Sequence, residues 1–384
     1  MGIGYSTELE NKELPYSPTT NHNLSDVSDV KRSYGWKRDM PDHRDMNHVF
    51  SSTVMNTLSS KEDLRKYMPP IYNQGELGSC TANAIAGAFQ FDEIKQYREK
   101  ILKMREESDK KITSKCLLEW SNVTNNKEER VTRSVSKKKK KGRKQSKIVE
   151  KVMEQLDEEP LMIFKQHEVR DPIIFIPSRL FIYYNERSIE GSIDTDSGAA
   201  IRDGMKSINK TGVCKEDDWK YDITKFTEKP PESCYKEAQG FKSKKYIKGS
   251  SDLKHLKAYI KSGFPVIFGF VVFESFEGED VAKTGIMPMP KDDEKRLGGH
   301  AVLMCGYDDE QNRFIIRNSW GKEWGDNGYF YMPYEFVETP GYCDDFWVMY
   351  TITDTNEKLL NCGKDTKKQT HIDDFLNNVN KKVK

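Results

Sequence analysis

The sequence has few features that would place the protein in a membrane or in the secretory pathway. No window reaches the roughly 18 consecutive apolar residues that a membrane-spanning helix needs. The start of the chain, MGIGYSTELENKELPYSP, lacks the apolar run of a secretory signal. Gly2 and Ser6 fit a myristoylation pattern, which is short enough to match often by chance. We therefore expect no transmembrane segment.

The sequence also lacks an excess of charge of one sign. Its 62 Lys and Arg residues face 61 Asp and Glu residues, so no overall attraction to nucleic acid or to an anionic membrane is expected. The 7 cysteines are odd in number and cannot all pair within one chain. Together with the missing signal, this predicts free thiols in a reducing compartment such as the cytoplasm, and packaging into a virion stays open.

Composition and periodicity divide the chain into regions. Residues 1–35 are polar and aperiodic and are predicted to form a flexible leader, and residues 354–384 a polar tail. Between them, residues 36–353 contain a helical first part and a strand-rich last third, which predicts an α+β fold with two subdomains. A charged insertion at about residues 98–160 interrupts this domain.

The insertion contains a strongly basic run, KKKKKGRKQSK, from Lys137 to Lys147. Such a run is able to make a weak contact with a polyanion or an anionic membrane, or to act as a nuclear address. The simpler interpretation is an exposed and solvated surface insertion. The balanced total charge argues against polyanion binding as the main function.

A cysteine stands at a position that favours its ionisation. The glycine-containing stretch YNQGELGSC ends at Cys80, and a helical pattern of small and apolar residues begins there, with Ser79 as a helix cap. The amide dipoles at the start of a helix stabilise a thiolate. A structural cysteine would need no such position, so Cys80 is a candidate nucleophile.

Two further polar residues lie at the ends of predicted strands. His300 begins an apolar strand directly after two glycines, and Asn318 ends the next strand in RNSWGKEWG. The asparagine amide is suited to hold the imidazole ring, with Trp320 and Trp324 shielding that hydrogen bond from water. A histidine in a buried strand is by itself more often structural, but three elements that each end in a reactive or polar side chain favour catalysis.

These motifs resemble the papain-like cysteine peptidases, in the branch that lacks the lysosomal disulfides. Gln74 stands six residues before Cys80, as in that family, and His300 opens the sequence HAV. The stretch from Asn318 to Tyr329 matches the family pattern NSWGxxWGxxGY in full. The resemblance covers about residues 36–353 and implies a helical left subdomain, a right subdomain with an antiparallel, barrel-like sheet, and a cleft between them.

The resemblance implies a role for each matching residue in peptide-bond hydrolysis. Cys80 would attack the scissile carbonyl as a thiolate, and His300 would form an ion pair with it and protonate the leaving amine. Asn318 would orient His300, and Gln74 would donate to the oxyanion together with the backbone N–H of Cys80. No metal or organic cofactor is required for this chemistry.

The partner implied by the resemblance is a peptide or protein substrate in extended conformation. The substrate-binding residues it nominates are Ser197, Gly198, Ala199, Ala200, Gly299 and Trp320. The first two would contact the substrate backbone, and the two alanines would line the S2 pocket. The protein is expected to be a monomer, and the sequence does not distinguish an endopeptidase from an exopeptidase.

Some positions depart from the family pattern. Thr81 stands where the family has an aromatic residue, which leaves the packing at the helix start uncertain. Leu77 replaces a half-cystine, and pairing of Cys214 with Cys234 stays open. The alternative functions are a catalytically silent papain-like fold used for binding, or localisation through the basic run. We also expect residues 1–35 to cover the active site as a short inhibitory pro-segment.

Overall fold

The computed structural model describes residues 32–42, 45, 55–96 and 175–352. Most of the predicted leader, the whole charged insertion with its basic run, and the predicted tail lie outside these residues. In the described part of the chain, none of the helices combines the length and the apolar character required to traverse a bilayer.

The helices include the one that the apolar periodicity predicts from Cys80. They are α1 (residues 80–96), α2 (Arg179–Glu190), α3 (Ile201–Lys210), α4 (Glu232–Ala238), α5 (Leu253–Lys261), α6 (Glu279–Thr284) and α7 (Tyr334–Glu338). Helix α5 begins after Asp252, because the Asp252 side chain accepts a hydrogen bond from the backbone N–H of His255 and caps the helix there.

The strands form one large sheet and one small one. They are β1 (Trp36–Lys37), β2 (Lys61–Asp63), β3 (Ala199–Ala200), β4 (Ser243–Lys248), β5 (Val266–Phe273), β6 (Arg296–Asp308), β7 (Arg313–Arg317), β8 (Tyr329–Pro333) and β9 (Cys343–Ile352). The large sheet is antiparallel in the order β4-β9-β5-β6-β7-β8, and β2 pairs with β6. The small sheet is the parallel pair β1–β3.

Two hydrophobic cores confirm the predicted α+β fold with two subdomains. Phe268, Phe270 and Phe314 belong to the core of the large sheet. The second core surrounds α1, α2 and α3 and includes Phe89 and Phe181. Each core buries the apolar face of one layer of secondary structure, which is the usual construction of a domain.

Helix α1 is buried between these layers. Its residues from Cys80 to Glu93 are all buried. A Cβ atom at Gly87 would lie 3.4 Å from the Arg317 side chain at the end of β7, so the sheet approaches the helix closely. The small residues of α1 therefore allow the close contact between the helix and the sheet.

Residues 32–39, called the cover segment here, lie between the two subdomains. Tyr34 packs against the core of the sheet, and Trp36 belongs to the helical core. Within the segment, β1 pairs in parallel with β3, with Trp36 opposite Ala199 and Lys37 opposite Ala200. The segment thus contacts both sides of the groove that the two subdomains enclose.

The cysteines in the described residues are all free thiols, as predicted: Cys80, Cys214, Cys234, Cys305 and Cys343. Cys214 and Cys234 are neighbours, and a hydrogen bond joins their two thiols. The open question of their pairing is therefore answered, since they lie side by side without a disulfide bond.

Candidate active site

Cys80 is the first residue of α1, where the sequence placed it. Its side chain is fully buried, and its thiol forms hydrogen bonds with the backbone at Ala301, Gly35 and Thr81. These hydrogen bonds lower its pKa, so they are donated to the sulfur by backbone N–H groups. Burial is the larger effect and raises the pKa of the Cys80 thiol to about 11.

His300 lies on β6, one residue before the backbone group that contacts the Cys80 thiol. Its Nε2 is 2.9 Å from Oδ1 of Asn318, which also accepts the backbone N–H of Ser319 at 2.8 Å. Oδ1 is an acceptor, so Nε2 carries the proton and the neutral ring keeps its lone pair on Nδ1. Among the described residues, this buried Nδ1 has no hydrogen-bond partner, which leaves it free to accept a proton.

Aromatic rings surround the imidazole of His300. Trp320 stacks on it with ring centres 4.9 Å apart, and Phe270 meets it edge-on at 5.7 Å. Trp324 packs against Trp320, with ring centres 4.9 Å apart, and so forms a second aromatic layer around the histidine. Burial lowers the pKa of His300 to about 4, the hydrogen bond to Asn318 opposes this shift, and the charge of Arg32 adds to it.

Gln74 is held in place by its neighbours in both subdomains. Its Oε1 accepts the Ser319 hydroxyl at 2.6 Å, and its Nε2 donates to the carbonyl of Leu77 at 3.0 Å. The same Nε2 also lies 3.4 Å from the carbonyl oxygen of Ser33 in the cover segment. The side-chain amide of Gln74 therefore faces a carbonyl group in the groove.

The cover segment lies directly over these groups. Gly35 packs so tightly that a Cβ atom there would stand 1.7 Å from the carbonyl oxygen of Gly78. The Tyr34 ring approaches the His300 ring edge-on at 6.4 Å, and the Arg32 guanidinium lies 4.2 Å from the centre of the Trp320 ring. Since the segment excludes water from both Cys80 and His300, it favours their neutral forms over an ion pair.

The residues nominated for substrate binding line the same groove. The backbone N–H of Ala199 donates to the carbonyl of Gly35 at 2.7 Å, and Gly198, with φ of 70°, lies against the same carbonyl. A Cβ atom at Gly299 would stand 2.7 Å from Trp36.

Ser197 and Ala200 lie at the margin of the groove. The Ser197 hydroxyl accepts a hydrogen bond from Lys37 Nζ at 3.1 Å. Ala200, for its part, donates its N–H to Glu190 at 2.7 Å. The structure therefore brings all the nominated residues next to the cover segment or to His300.

Sequence reasoning missed some residues that hold this site together. Ser319 orients Gln74, and it could have been found because it follows Asn318 in the same motif. Glu277 forms an ion pair with Arg32 and accepts a hydrogen bond from the Tyr34 hydroxyl. No local pattern in the sequence marks Glu277, since it contacts the cover segment from a short 3-10 helix, Glu274–Glu277, that is distant in the chain.

The departures from the family pattern are accommodated locally. The Thr81 hydroxyl donates to Glu186 Oε2 at 2.8 Å, so a buried carboxyl on α2 meets the position where the family has an aromatic ring. Burial keeps the pKa of Glu186 well above its usual range, which favours the neutral acid. Leu77, in place of a half-cystine, is buried in the helical core.

Known proteins share this arrangement of fold and motifs. The profile of the papain family of cysteine proteases matches residues 192–344. The uncharacterized peptidase C1-like protein L477 of Acanthamoeba polyphaga mimivirus is 38% identical over 353 residues, which are 86% of this chain and 90% of that protein. Xylellain, a cysteine protease from Xylella fastidiosa, is 36% identical, with a TM-score of 0.60 over 84% of this chain and 97% of that chain.

A more distant structure is similar in fold alone. ProCathepsin B S9 from Trypanosoma congolense has a TM-score of 0.52 and 12% identity, over 85% of this chain and 88% of that chain. The extent and identity of the mimivirus match show the family directly. The chain belongs to the papain family of cysteine proteases, which confirms the resemblance of its motifs.

Proposed function

We propose that the protein is an endopeptidase with Cys80 as nucleophile, His300 as proton carrier, Asn318 as its orienting partner and Gln74 as an oxyanion donor. The observation that carries this assignment is the hydrogen bond of 2.9 Å from His300 Nε2 to Asn318, which leaves the buried Nδ1 as the basic atom. A silent binding fold is not favoured, because all four residues are in place.

In the proposed mechanism, a proton moves from the Cys80 thiol to His300 Nδ1. The thiolate attacks the scissile carbonyl, and the oxyanion accepts hydrogen bonds from Gln74 Nε2 and the Cys80 N–H. The C–N bond then breaks while His300 returns its proton to the leaving amine. Water, deprotonated by His300, attacks the thioester carbonyl, and the C–S bond breaks to release the acid and restore Cys80.

The path of the cover segment supports cleavage of internal bonds. Gly35 contacts Cys80, Arg32 lies against Trp320 on one side, and Trp36 and Lys37 pair with β3 on the other. Since the groove holds an extended chain on both sides of the nucleophile, it has room for a substrate that extends both ways. This favours an endopeptidase over an exopeptidase.

The described conformation is proposed to be the latent form. Burial under the cover segment raises the pKa of Cys80 to about 11 and lowers that of His300 to about 4, so neither charge of the ion pair is favoured. Displacing the segment admits water and removes the charge of Arg32 from the histidine. The predicted inhibitory leader up to residue 35 agrees with this, although the contacts continue beyond that boundary to Asp39.

Selective alkylation of the full-length chain at about pH 5 tests both proposals. An ordinary thiol with a pKa near 8.5 is almost wholly protonated at that pH and reacts slowly. In the Gly35→Val variant, the new side chain collides with the Gly78 carbonyl and displaces the segment. We expect iodoacetamide to label Cys80 in this variant and not in the wild type, as read by peptide mapping.

The matched control is Met40→Val. Met40 lies just beyond the cover segment and is 80% exposed. It should leave Cys80 unlabelled. Adding His300→Ala to Gly35→Val should abolish both the labelling and the hydrolysis of a quenched fluorescent protein substrate. Labelling that persists without the histidine would contradict the ion pair, and a labelled but inactive Gly35→Val chain would contradict peptidase function.

A further inference from the structure

The Trp36 pocket is the space on the large sheet that the Trp36 side chain fills. Gly269 on β5 and Gly299 on β6 form one wall of this pocket. A Cβ atom would stand 2.0 Å from the Trp36 side chain if placed at Gly269, and 2.7 Å if placed at Gly299. Val271 pairs with Gly299, and Gly269 pairs with Ala301, so both glycines lie on the same face of the sheet. The wall is therefore shaped for a flat ring of indole width.

Asp345 closes the far end of this pocket. Its Oδ2 accepts the Trp36 indole N–H at 3.1 Å and the backbone N–H of Asp39 at 2.7 Å. The residue is only 1% exposed, and in the described structure its Oδ1 has no hydrogen-bond partner. The ammonium group of Lys248 lies 3.7 Å from that oxygen and supplies a nearby positive charge.

Departure of the cover segment would remove both donors from this carboxylate and let water take their place, and a side chain that refills the pocket would expel that water. A buried acceptor that loses its hydrogen bonds is costly, particularly when it is charged. A ligand side chain that enters the pocket restores a hydrogen bond only if it carries an N–H or O–H donor at its far end. Phenylalanine and leucine lack this group, so they would fill the space and leave Oδ2 unsatisfied.

The groups around Asp345 favour a ligand whose hydrogen-bond donor is neutral over one whose donor is a cation. Lys248 already provides a cation next to Oδ1, so a second cation gains less from the carboxylate and is repelled by the ammonium group. The flat wall at Gly269 and Gly299 also matches an aromatic ring better than a flexible chain. Both features favour the indole of tryptophan over arginine or lysine.

The pocket is close to the proposed nucleophile. Trp36 follows Gly35, which contacts Cys80, and Gly299 precedes His300. An open groove of about 540 Å³, lined in part by Trp36, Val271 and Gly298, leads to it from the surface. A substrate lying in the cleft can therefore place a side chain in the pocket.

We propose that Asp345 is a specificity-determining residue, an inference that rests on the proposed peptidase function. Asp345 selects tryptophan as the substrate residue whose side chain enters the Trp36 pocket. The selection comes from one hydrogen bond between the indole N–H and the buried carboxylate. The glycine wall admits the ring, and Asp345 distinguishes it from rings of similar size that lack a donor.

Peptide binding to the full-length Cys80→Ala/Gly35→Val/Trp36→Ala chain tests this inference by isothermal titration calorimetry. This chain has an open groove, an empty pocket and no nucleophile, so the result is independent of catalysis. The peptides contain only glycine and alanine around one variable residue, which is tryptophan, 2-naphthylalanine, phenylalanine or arginine. We expect tryptophan to bind about tenfold tighter than naphthylalanine, which has a similar ring area without the N–H.

Asp345→Gly, added to this chain, should reduce the ratio between tryptophan and naphthylalanine to about one. Glycine suits the position because Asp345 has a φ of 55°. The matched control is Asp344→Gly, which removes the neighbouring carboxylate. The Asp344 side chain is 44% exposed and pairs with Arg38, so its removal should leave the ratio between tryptophan and naphthylalanine unchanged. Asp345→Asn, which keeps an acceptor oxygen without the charge, gives an intermediate ratio and a second test if the glycine variant does not fold.

Equal affinity for tryptophan and naphthylalanine in the parent chain would overturn the inference, as would tightest binding of arginine or binding of none of the peptides. A preference that survives Asp345→Gly would also overturn it. A chain that binds tryptophan selectively while its Cys80-containing form hydrolyses nothing would leave the inference standing and refute the proposed peptidase function, so the two failures are distinguishable.

Discussion

The two halves of the cover segment contact the protein in different ways. Residues 32–35 lie on the reactive groups, and the side chains of Arg32 and Tyr34 are only partly buried. Residues 36–39 place two side chains in the interior, since Trp36 is 9% and Asp39 is 7% exposed. Asp39 accepts the indole N–H of Trp347 at 2.8 Å and the backbone N–H of Arg202 at 3.2 Å.

The first half of the segment, residues 32–35, therefore acts as a blocking half that covers Cys80, and the second half, residues 36–39, acts as an anchoring half that holds the segment in place. The first half covers Cys80 with the backbone of Gly35 and adds an ion pair near the surface, which contributes little free energy of docking. The second half buries an aromatic ring and a hydrogen-bonded carboxyl, which contribute much more. We therefore expect removal of the buried side chains of residues 36–39 to open the site more effectively than removal of the side chains of residues 32–34.

The largest effect is expected from Trp36→Ala in the full-length chain. Removing a buried indole costs about 3–5 kcal/mol, so the docked state should become at least about 100-fold less favoured. The measurement is the rate at which iodoacetamide labels Cys80. Lys37→Ala is the control within the same half, because its side chain is 40% exposed. A similar acceleration in both variants would contradict anchoring by the buried indole.

An intermediate effect is expected from pH, through Asp39. Burial, and next the charge of Asp345, raise the pKa of Asp39 to about 7 from the ordinary 3.8, while hydrogen bonds from Trp347 and Arg202 oppose this shift. The docked segment therefore binds this proton more tightly than the released one. Docking should be strongest below about pH 4, weaken as the pH rises to about 7, and change little above that.

The ratio of Cys80 labelling rates in the wild type and in Asp39→Asn isolates this effect, because the thiol chemistry is common to both chains. We expect the ratio to rise by at least about tenfold between pH 4 and pH 7, since each unit of pKa difference changes the docking equilibrium about tenfold. A ratio that stays constant would mean that the proton on Asp39 does not stabilise the anchoring half.

The smallest effect is expected from Arg32→Ala. The ion pair with Glu277 is partly exposed, and the stacking of Arg32 on Trp320 is a single cation–π contact. Together these should change the labelling rate of Cys80 by about fivefold or less. Glu277→Gln should give a comparable change, and an effect as large as that of Trp36→Ala would show that the blocking half also anchors.

Much of the fold and the site could be predicted from residues that lie close together in the sequence. Cys80 begins a helix because the small and apolar residues after it recur with helical spacing, and His300 and Asn318 lie at strand ends marked by glycines and by the motif NSWG. The position of Ser319 followed from the same motif, but its hydrogen bond to Gln74 did not, because the two residues are 245 positions apart.

The cover segment shows the limit of prediction from patterns. Its composition suggested a leader that ends at residue 35 and a domain that begins at residue 36, and that boundary stays a prediction. The covering contacts cross it, because Gly35 and Trp36 are both held by β3, to which the chain returns at Ala199. A short aperiodic stretch carries no signal for such a distant partner.

The sequence by itself determined the family, the α+β class and the residues that carry the proposed chemistry, because each depends on local periodicity and on motifs of adjacent residues. Only the tertiary structure decided that Gly35 covers Cys80, that burial keeps the thiol and the imidazole neutral, and that Asp345 meets the indole of Trp36. These properties depend on solvent exclusion and on contacts between distant segments, which arise only when the two subdomains enclose the chain between them.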